Sequence, residues 1–353
     1  MNKNTIVGFV LIGVILFGFT WFQSKQYEKQ VAYQAQLDSI ARAERLEQYR
    51  ADSIAGRLPV ADTSAGESFQ TASAVAAAPV SIYKDSLLEV AHNAAEHFYK
   101  IENDKITVEF AARGAQPYSV RVKDYKTYDS TDLYLFKPGE SEMGVGIYAG
   151  ENINTKDFVF QLAEKTDTSV VMRLPFRNGG YIQQKYTLKQ GSYVVSNVMS
   201  FVGMEGIIPR NVAYYDFDWD VTIPRMEKGY KNEVQYSKVD YYYGGDKKPE
   251  EFGRGRNMDK RIENRVEWFA FQQQFFSAIM RPVNQFTSGE LAINFVPEED
   301  LSHNLMTCVA KMRGDFRIAD NVEINNEFYF GPNHYKTLKS CLLYTSDAAD
   351  DLI

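Results

Sequence analysis

The chain has 353 residues, room for one large domain or two ordinary ones. Its 39 Lys and Arg stand against 46 Asp and Glu, a formal net charge of −7, which opposes phosphate-backbone binding and excludes nucleic acid as the main partner. Two cysteines, Cys308 and Cys341, are too few for a disulfide framework, while 23 Tyr and 23 Phe tilt the body of the chain towards half-buried strands.

The first predicted element is a membrane anchor. Residues 6–22 read IVGFVLIGVILFGFTWF, without a charge. With the neutral flanks Asn4 and Ser24 the stretch reaches about 20 residues, enough for a helix to span a hydrocarbon core of ~30 Å. We assign the anchor to residues 1–24, with Ile6, Val10, Ile15, Phe19 and Phe22 as its lipid contacts. A cleaved signal peptide would need small residues at an A-x-A site, whereas this run ends in Thr20, Trp21 and Phe22; a retained anchor fits better. Lys3 precedes the run and Lys25 and Lys29 follow it, so charge does not decide its orientation.

Residues 25–80 form a polar linker. Val31, Leu37, Ile40, Leu46 and Tyr49 recur at loosely helical spacing without clean heptads, so an exposed helix or weak self-association is expected rather than a sustained coiled coil. Pro59 ends that part, and residues 60–80 are small and low in complexity, a linker composition.

A β domain is expected over residues 81–340. It opens with a short helix over 85–98. Then Ile106, Val108 and Phe110 alternate with polar residues, the period-2 signature of a half-buried strand, and 119–123 repeats it. Further strands are predicted at 133–136, 158–162, 170–174, 181–188, 193–201, 213–223, 291–295 and 323–330. The segments 181–188 and 193–201, joined through Gly191, read as a hairpin. Many strands with short turns predict a large antiparallel β sandwich. Residues 265–280, RVEWFAFQQQFFSAIM, fit either a helix face or a strand face and are expected to be core.

Chemistry is sparse. His92 and His97, with Glu96 between them, resemble H-x-x-E-H but are five apart, about 140° around a helix, and could not easily share a zinc. His303 and His334 stand alone. Cys308 lies in an alternating stretch and reads as a small buried hydrophobe. Gly253-Arg254-Gly255 lacks the third glycine of a dinucleotide fingerprint. Asp216, Asp218 and Asp220 share one strand face; a solvated polar face is the plain reading, beside carboxylate catalysis or calcium binding without a Gly-bearing loop. The residues alone give a membrane-anchored β domain suited to binding, scaffolding or translocation, with no catalytic, cofactor-binding or metal residues assigned.

Several stretches together resemble the YidC-type membrane protein insertases of Gram-negative bacteria. They are the opening MNKNTIVGFVLIGVILFGF, the long linker, and the texture from Asn103 to Tyr125. A W-x-A-x-Q-Q-x-F-like block follows around Trp268, Gln272–Gln274, Phe275 and Phe276, and then Phe328-Tyr329-Phe330-Gly331-Pro332. The resemblance implies a periplasmic β-supersandwich similar in fold to galactose mutarotases, behind a first helix with its N-terminus in the cytoplasm of an inner-membrane protein. It implies insertion and folding of membrane proteins, alone or with the Sec translocon, and no cofactor. The implied partners are the lipid bilayer, nascent membrane proteins and Sec translocon components.

The family's further membrane helices, which should follow the G-P block, have no counterpart here. Residues 341–353, CLLYTSDAADDLI, resemble translated sequencing-adapter DNA and are expected to be foreign to the gene. Two other readings compete: a tethered carbohydrate-active enzyme on a mutarotase-like sandwich, which needs a histidine and a carboxylate converging in a cleft, and a tethered scaffold that oligomerises through residues 25–58.

Overall fold

The computed structural model describes residues 83–243, 248–319, 321–334 and 337–338. The anchor of residues 1–24, with Ile6, Val10, Ile15, Phe19 and Phe22, the linker 25–80 and the tail 341–353 lie outside the described residues.

Asp85 caps the first helix: its carboxylate accepts the Leu87 N–H at 2.9 Å, satisfying a donor that the helix start leaves open. That helix, α1 (Ser86–His92), buries Leu88 and Ala91. It is shorter than the expected 85–98, because Asn93 caps it and the chain bends before β1 begins at Phe98. Strands follow: β1 (Phe98–Glu102), β2 (Ile106–Ala111), β3 (Gln116–Lys126), β4 (Asp132–Phe136), β5 (Ser141–Tyr148), β6 (Asn152–Asn154), β7 (Gln161–Lys165), β8 (Ser169–Pro175), β9 (Tyr181–Leu188), β10 (Val194–Val202) and β11 (Tyr214–Pro224). A second helix, α2 (Tyr230–Tyr236), precedes β12 (Lys238–Tyr243), β13 (Glu250–Phe252), β14 (Met258–Ile262), β15 (Val266–Gln272), β16 (Phe276–Pro282), β17 (Phe286–Phe295), β18 (Asn304–Asp315) and β19 (Asn321–Pro332).

Every strand pairing is antiparallel, in a small sheet β1-β2-β3-β4 and a large one ordered β6-β5-β11-β18-β17-β15-β16-β19-β10-β9-β8-β7, with β12 to β14 attached to β15 and β17. The hairpin holds: β9 pairs β10 with Leu188 opposite Val195, and Gly191 takes φ +70° in its turn, where an L side chain would be strained. The ambiguous 265–280 segment is a hairpin of β15 and β16. Residues 158–160 lie outside the strand expected there, and β7 begins at Gln161.

β15 meets β17 through one pair, Val266 with Phe286, and there the large sheet folds over on itself. Its two inner faces meet around Trp219 of β11. Phe271 of β15 lies 5.3 Å from the indole, Phe328 of β19 5.9 Å, and Phe136 of the small sheet 6.4 Å, centroid to centroid. The small sheet also packs Phe110 on Tyr186 and Tyr125 on Phe276. Trp219 donates its indole N–H to the Ser141 hydroxyl at 3.2 Å, so the ring is buried without leaving a donor unpaired. The fold is a mainly β, antiparallel sandwich. Among the described residues no helix is long and apolar enough to cross a membrane.

Candidate functional site

A groove of about 760 Å³ opens beside the β5–β6 edge of the large sheet. Gly146 and Tyr148 of β5, Asn152 of β6, Pro209, residues 211–213, and Tyr214 and Asp216 of β11 line it. A second opening, of about 660 Å³, shares residues 211–213 and adds Arg210, Asp315, Phe316 and Arg317. Arg313 of β18 braces this wall. Its guanidinium lies 3.9 Å over the Tyr214 ring and donates to both Asp216 oxygens, at 2.8 and 3.2 Å. Tyr148 and Tyr214 stay exposed, so the groove offers aromatic faces beside amides and a braced carboxylate. Its size falls within the roughly 300–1,000 Å³ of ordinary ligand sites, and its open form suits an extended segment.

The sandwich interior offers far less. Gln116, Gln184, Asn197, Asn326 and Tyr186 line a cavity of about 20 Å³ between the sheets. Asn197 donates to Gln184 at 2.8 Å and Asn326 to Asn197 at 3.0 Å, so the polar groups largely serve each other. That volume accommodates about one water molecule and no sugar ring.

A third assembly sits where strand ends and loops gather. Glu233 of α2 is 1% exposed. It accepts the Met226 N–H at 2.9 Å and a Gln273 amide N–H at 3.3 Å. Gln273 also donates to the Pro224 carbonyl at 2.7 Å. Asn333 donates to the Gln273 carbonyl at 2.9 Å, and Ser277 donates to Asn333 at 2.6 Å. Burial pushes the Glu233 carboxyl up to about 7, against the opposing pull of the Met226 and Glu227 N–H groups. The Q-Q-x-F and G-P stretches thus meet physically, with Phe276 opposite Pro332.

The sequence candidates end up dispersed. Asp216, Asp218 and Asp220 do share the half-buried face of β11, but Asp216 is held by Arg313, and Asp218 accepts from Asn154 at 3.1 Å. His92 is half-buried: its Nδ1 lies 3.1 Å from the Asp157 carbonyl and 3.3 Å from the Tyr83 hydroxyl. His97 lies past the end of α1 and is exposed. His303 and His334 occupy exposed turns away from the interior cavity. Cys308 is fully buried on β18, and burial pushes its thiol up. Among the described residues no cluster of three His, Cys, Asp or Glu could hold a metal. The groove was missed because its walls lie some sixty positions apart in the chain.

Comparison with known proteins gives a consistent result. Residues 99–351 match the family model of the YidC periplasmic domain. A membrane protein insertase YidC of Bacteroides fragilis is 33% identical over 340 residues, covering 96% of this chain and 52% of the relative. Another, of Porphyromonas gingivalis, is 30% identical over 348 residues, covering 96% and 53%. The chain spans about half the length of these relatives. Among solved structures, a galactose mutarotase-like protein from Lactobacillus casei aligns at 10% identity and a TM-score of 0.44, covering 66% of this chain and 100% of that one. A galactose mutarotase related enzyme from Lactobacillus acidophilus aligns at 9% and 0.43, covering 66% and 97%.

Proposed function

The chain belongs to the YidC periplasmic-domain family, and from that premise we propose that it is the anchor and periplasmic part of a membrane protein insertase. The match over residues 99–351 carries this reading. The apolar run at residues 6–22 fits a first membrane helix with its N-terminus in the cytoplasm, leaving the β domain on the periplasmic side of the inner membrane. The partners on this reading are the bilayer, nascent membrane proteins and Sec translocon components. Insertion needs no cofactor: its physical task is to lower the cost of moving polar segments into lipid, where a charged side chain costs roughly 2.5 kcal/mol or more. The open groove beside β5 and β6 would receive extended client segments through Tyr148 and Tyr214.

A chimera tests the proposal. Residues 1–340 replace the matched part of the Bacteroides fragilis relative, in cells depleted of that relative. Insertion of a newly made membrane protein, read by its protease protection, is expected to be restored. A folded, membrane-bound chimera that leaves insertion at the depleted level overturns the reading. Anchor and orientation are tested separately: the full chain should resist alkaline carbonate, and external protease should digest its β domain in spheroplasts.

A further inference from the structure

Among the described residues eleven large apolar side chains are exposed, and five of them, Tyr125, Tyr128, Tyr236, Phe275 and Leu301, stand at one end of the sandwich. Single exposed apolar residues are ordinary. These five differ because their loops are bonded into one unit. The Tyr128 N–H donates to the Met226 carbonyl at 3.0 Å, and the Arg225 N–H to the His303 carbonyl at 3.0 Å. Gln273 donates to Pro224, and the Asn333 N–H donates to the Phe275 carbonyl at 2.7 Å. Tyr125 packs edge-on to Phe276, 5.1 Å between centroids. Tyr236 ends α2 two residues before Lys238, which pairs with Gln272 beside the Phe275 turn. Leu301 is 90% exposed and Phe275 51%, both on turns between strands.

The chemistry of this end is that of an interfacial surface. Tyrosine carries an apolar ring and a hydroxyl that stays wet, which suits the headgroup level of a bilayer, and an apolar loop tip can reach below it. The charges are mixed: Lys126, Lys228 and Lys231 are exposed alongside Asp129, Glu298, Glu299 and Asp300. With no cationic excess, attraction to an anionic surface is not the driving term. The chain also supplies its own reason to meet lipid, the uncharged run at residues 6–22 joined to the domain by the linker. A tether raises the effective concentration of the domain at the surface, so a weak apolar contact suffices.

We propose that this loop end rests on the bilayer and dips Leu301 and Phe275 into its interfacial region. The inference rests on the anchored reading above. The test uses the full chain carrying Cys341→Ser, leaving only the buried Cys308, reconstituted into vesicles of phosphatidylethanolamine and phosphatidylcholine. A nitroxide is attached through Leu301→Cys or Phe275→Cys, and through Val283→Cys as the control at the opposite end of β16. Collision rates with oxygen and with an aqueous nickel chelate are compared. The oxygen-to-nickel ratio should be several-fold higher at 301 and 275 than at 283, and should persist as salt is raised. Labels at 301 and 275 as aqueous as the one at 283, in a chain that resists carbonate, overturn the proposal and leave the anchor standing. Labels that stay aqueous on vesicles but are immobilised by an added apolar peptide overturn it in favour of a client site. Release by carbonate counts against the anchor itself, so the two failures separate.

Discussion

Around Trp219 and around Glu233 the molecule buries side chains equally well but with opposite chemistry. Trp219 sits among Phe136, Phe269, Phe271, Phe328 and Phe330, rings drawn from both sheets. Its contribution is apolar area, which is indifferent to pH. Glu233 sits among backbone and amide donors from a loop, a turn and its own helix. Its contribution is connection, and it depends on a proton. The first region holds the layers together; the second holds the loops of one end to each other.

Truncating the aromatic centre should have the largest effect. Trp219→Ala is expected to cost about 3–5 kcal/mol, because the surrounding rings cannot collapse fully into the space. Chemical denaturation should show a lower midpoint at unchanged slope. A loss below about 1 kcal/mol would mean that the two inner faces do not pack as described.

Titration comes next. The Glu233 value of about 7 in the fold lies above the ordinary 4.5. Below 4.5 the carboxyl is neutral in both folded and unfolded chains and imposes no penalty. Between 4.5 and 7 the unfolded chain ionises while the folded one keeps its proton, so stability should fall by roughly 3 kcal/mol in total, levelling off above 7 where the folded state holds the charge indoors. Glu233→Gln should flatten the pH dependence of the denaturation midpoint between 5 and 8; an unaltered slope in that variant would falsify the assignment.

Gln273→Ala removes a donor to both Pro224 and Glu233. The expected cost is about 1–3 kcal/mol from the buried acceptors left behind. Hydrogen exchange should accelerate across residues 224–236 while the amides beside Trp219 keep their protection. Acceleration spread evenly over the domain would erase the distinction between the two regions.

The smallest effect belongs to the surface. Glu251 is held down to about 2 by the Arg254 guanidinium and then by Lys238. That stabilisation is present above the usual 4.5 and disappears as pH falls through 2. The carboxylate is 44% exposed, so water screens it, and Glu251→Gln should cost no more than about 1 kcal/mol.

The sandwich was legible wherever one strand face meets solvent. β9 runs Tyr181–Leu188 with alternate residues buried, and its period-2 pattern stands out in the sequence. β15 was not legible, because Trp268, Phe269, Ala270 and Phe271 are buried in succession and a strand covered on both faces leaves no period. β12, with Val239 to Tyr242 all buried, went unpredicted for the same reason. β5 was hidden by Gly144 and Gly146. Gly144 has a packing cause: a Cβ there would lie 2.1 Å from Asn154 Oδ1, the atom that caps the 3-10 turn at Lys156. The groove and the Glu233 assembly are tertiary facts, built from segments whose separation along the chain conceals their meeting.

Cys308 gives the molecule a built-in timer. A thiol sealed inside β18 can be alkylated only when the sheet opens, so the rate of mass gain with excess reagent counts the openings that expose β18. With Cys341 replaced by serine, one peak in a mass spectrum would follow survival of the fold in crude extracts, where optical probes see mostly everything else.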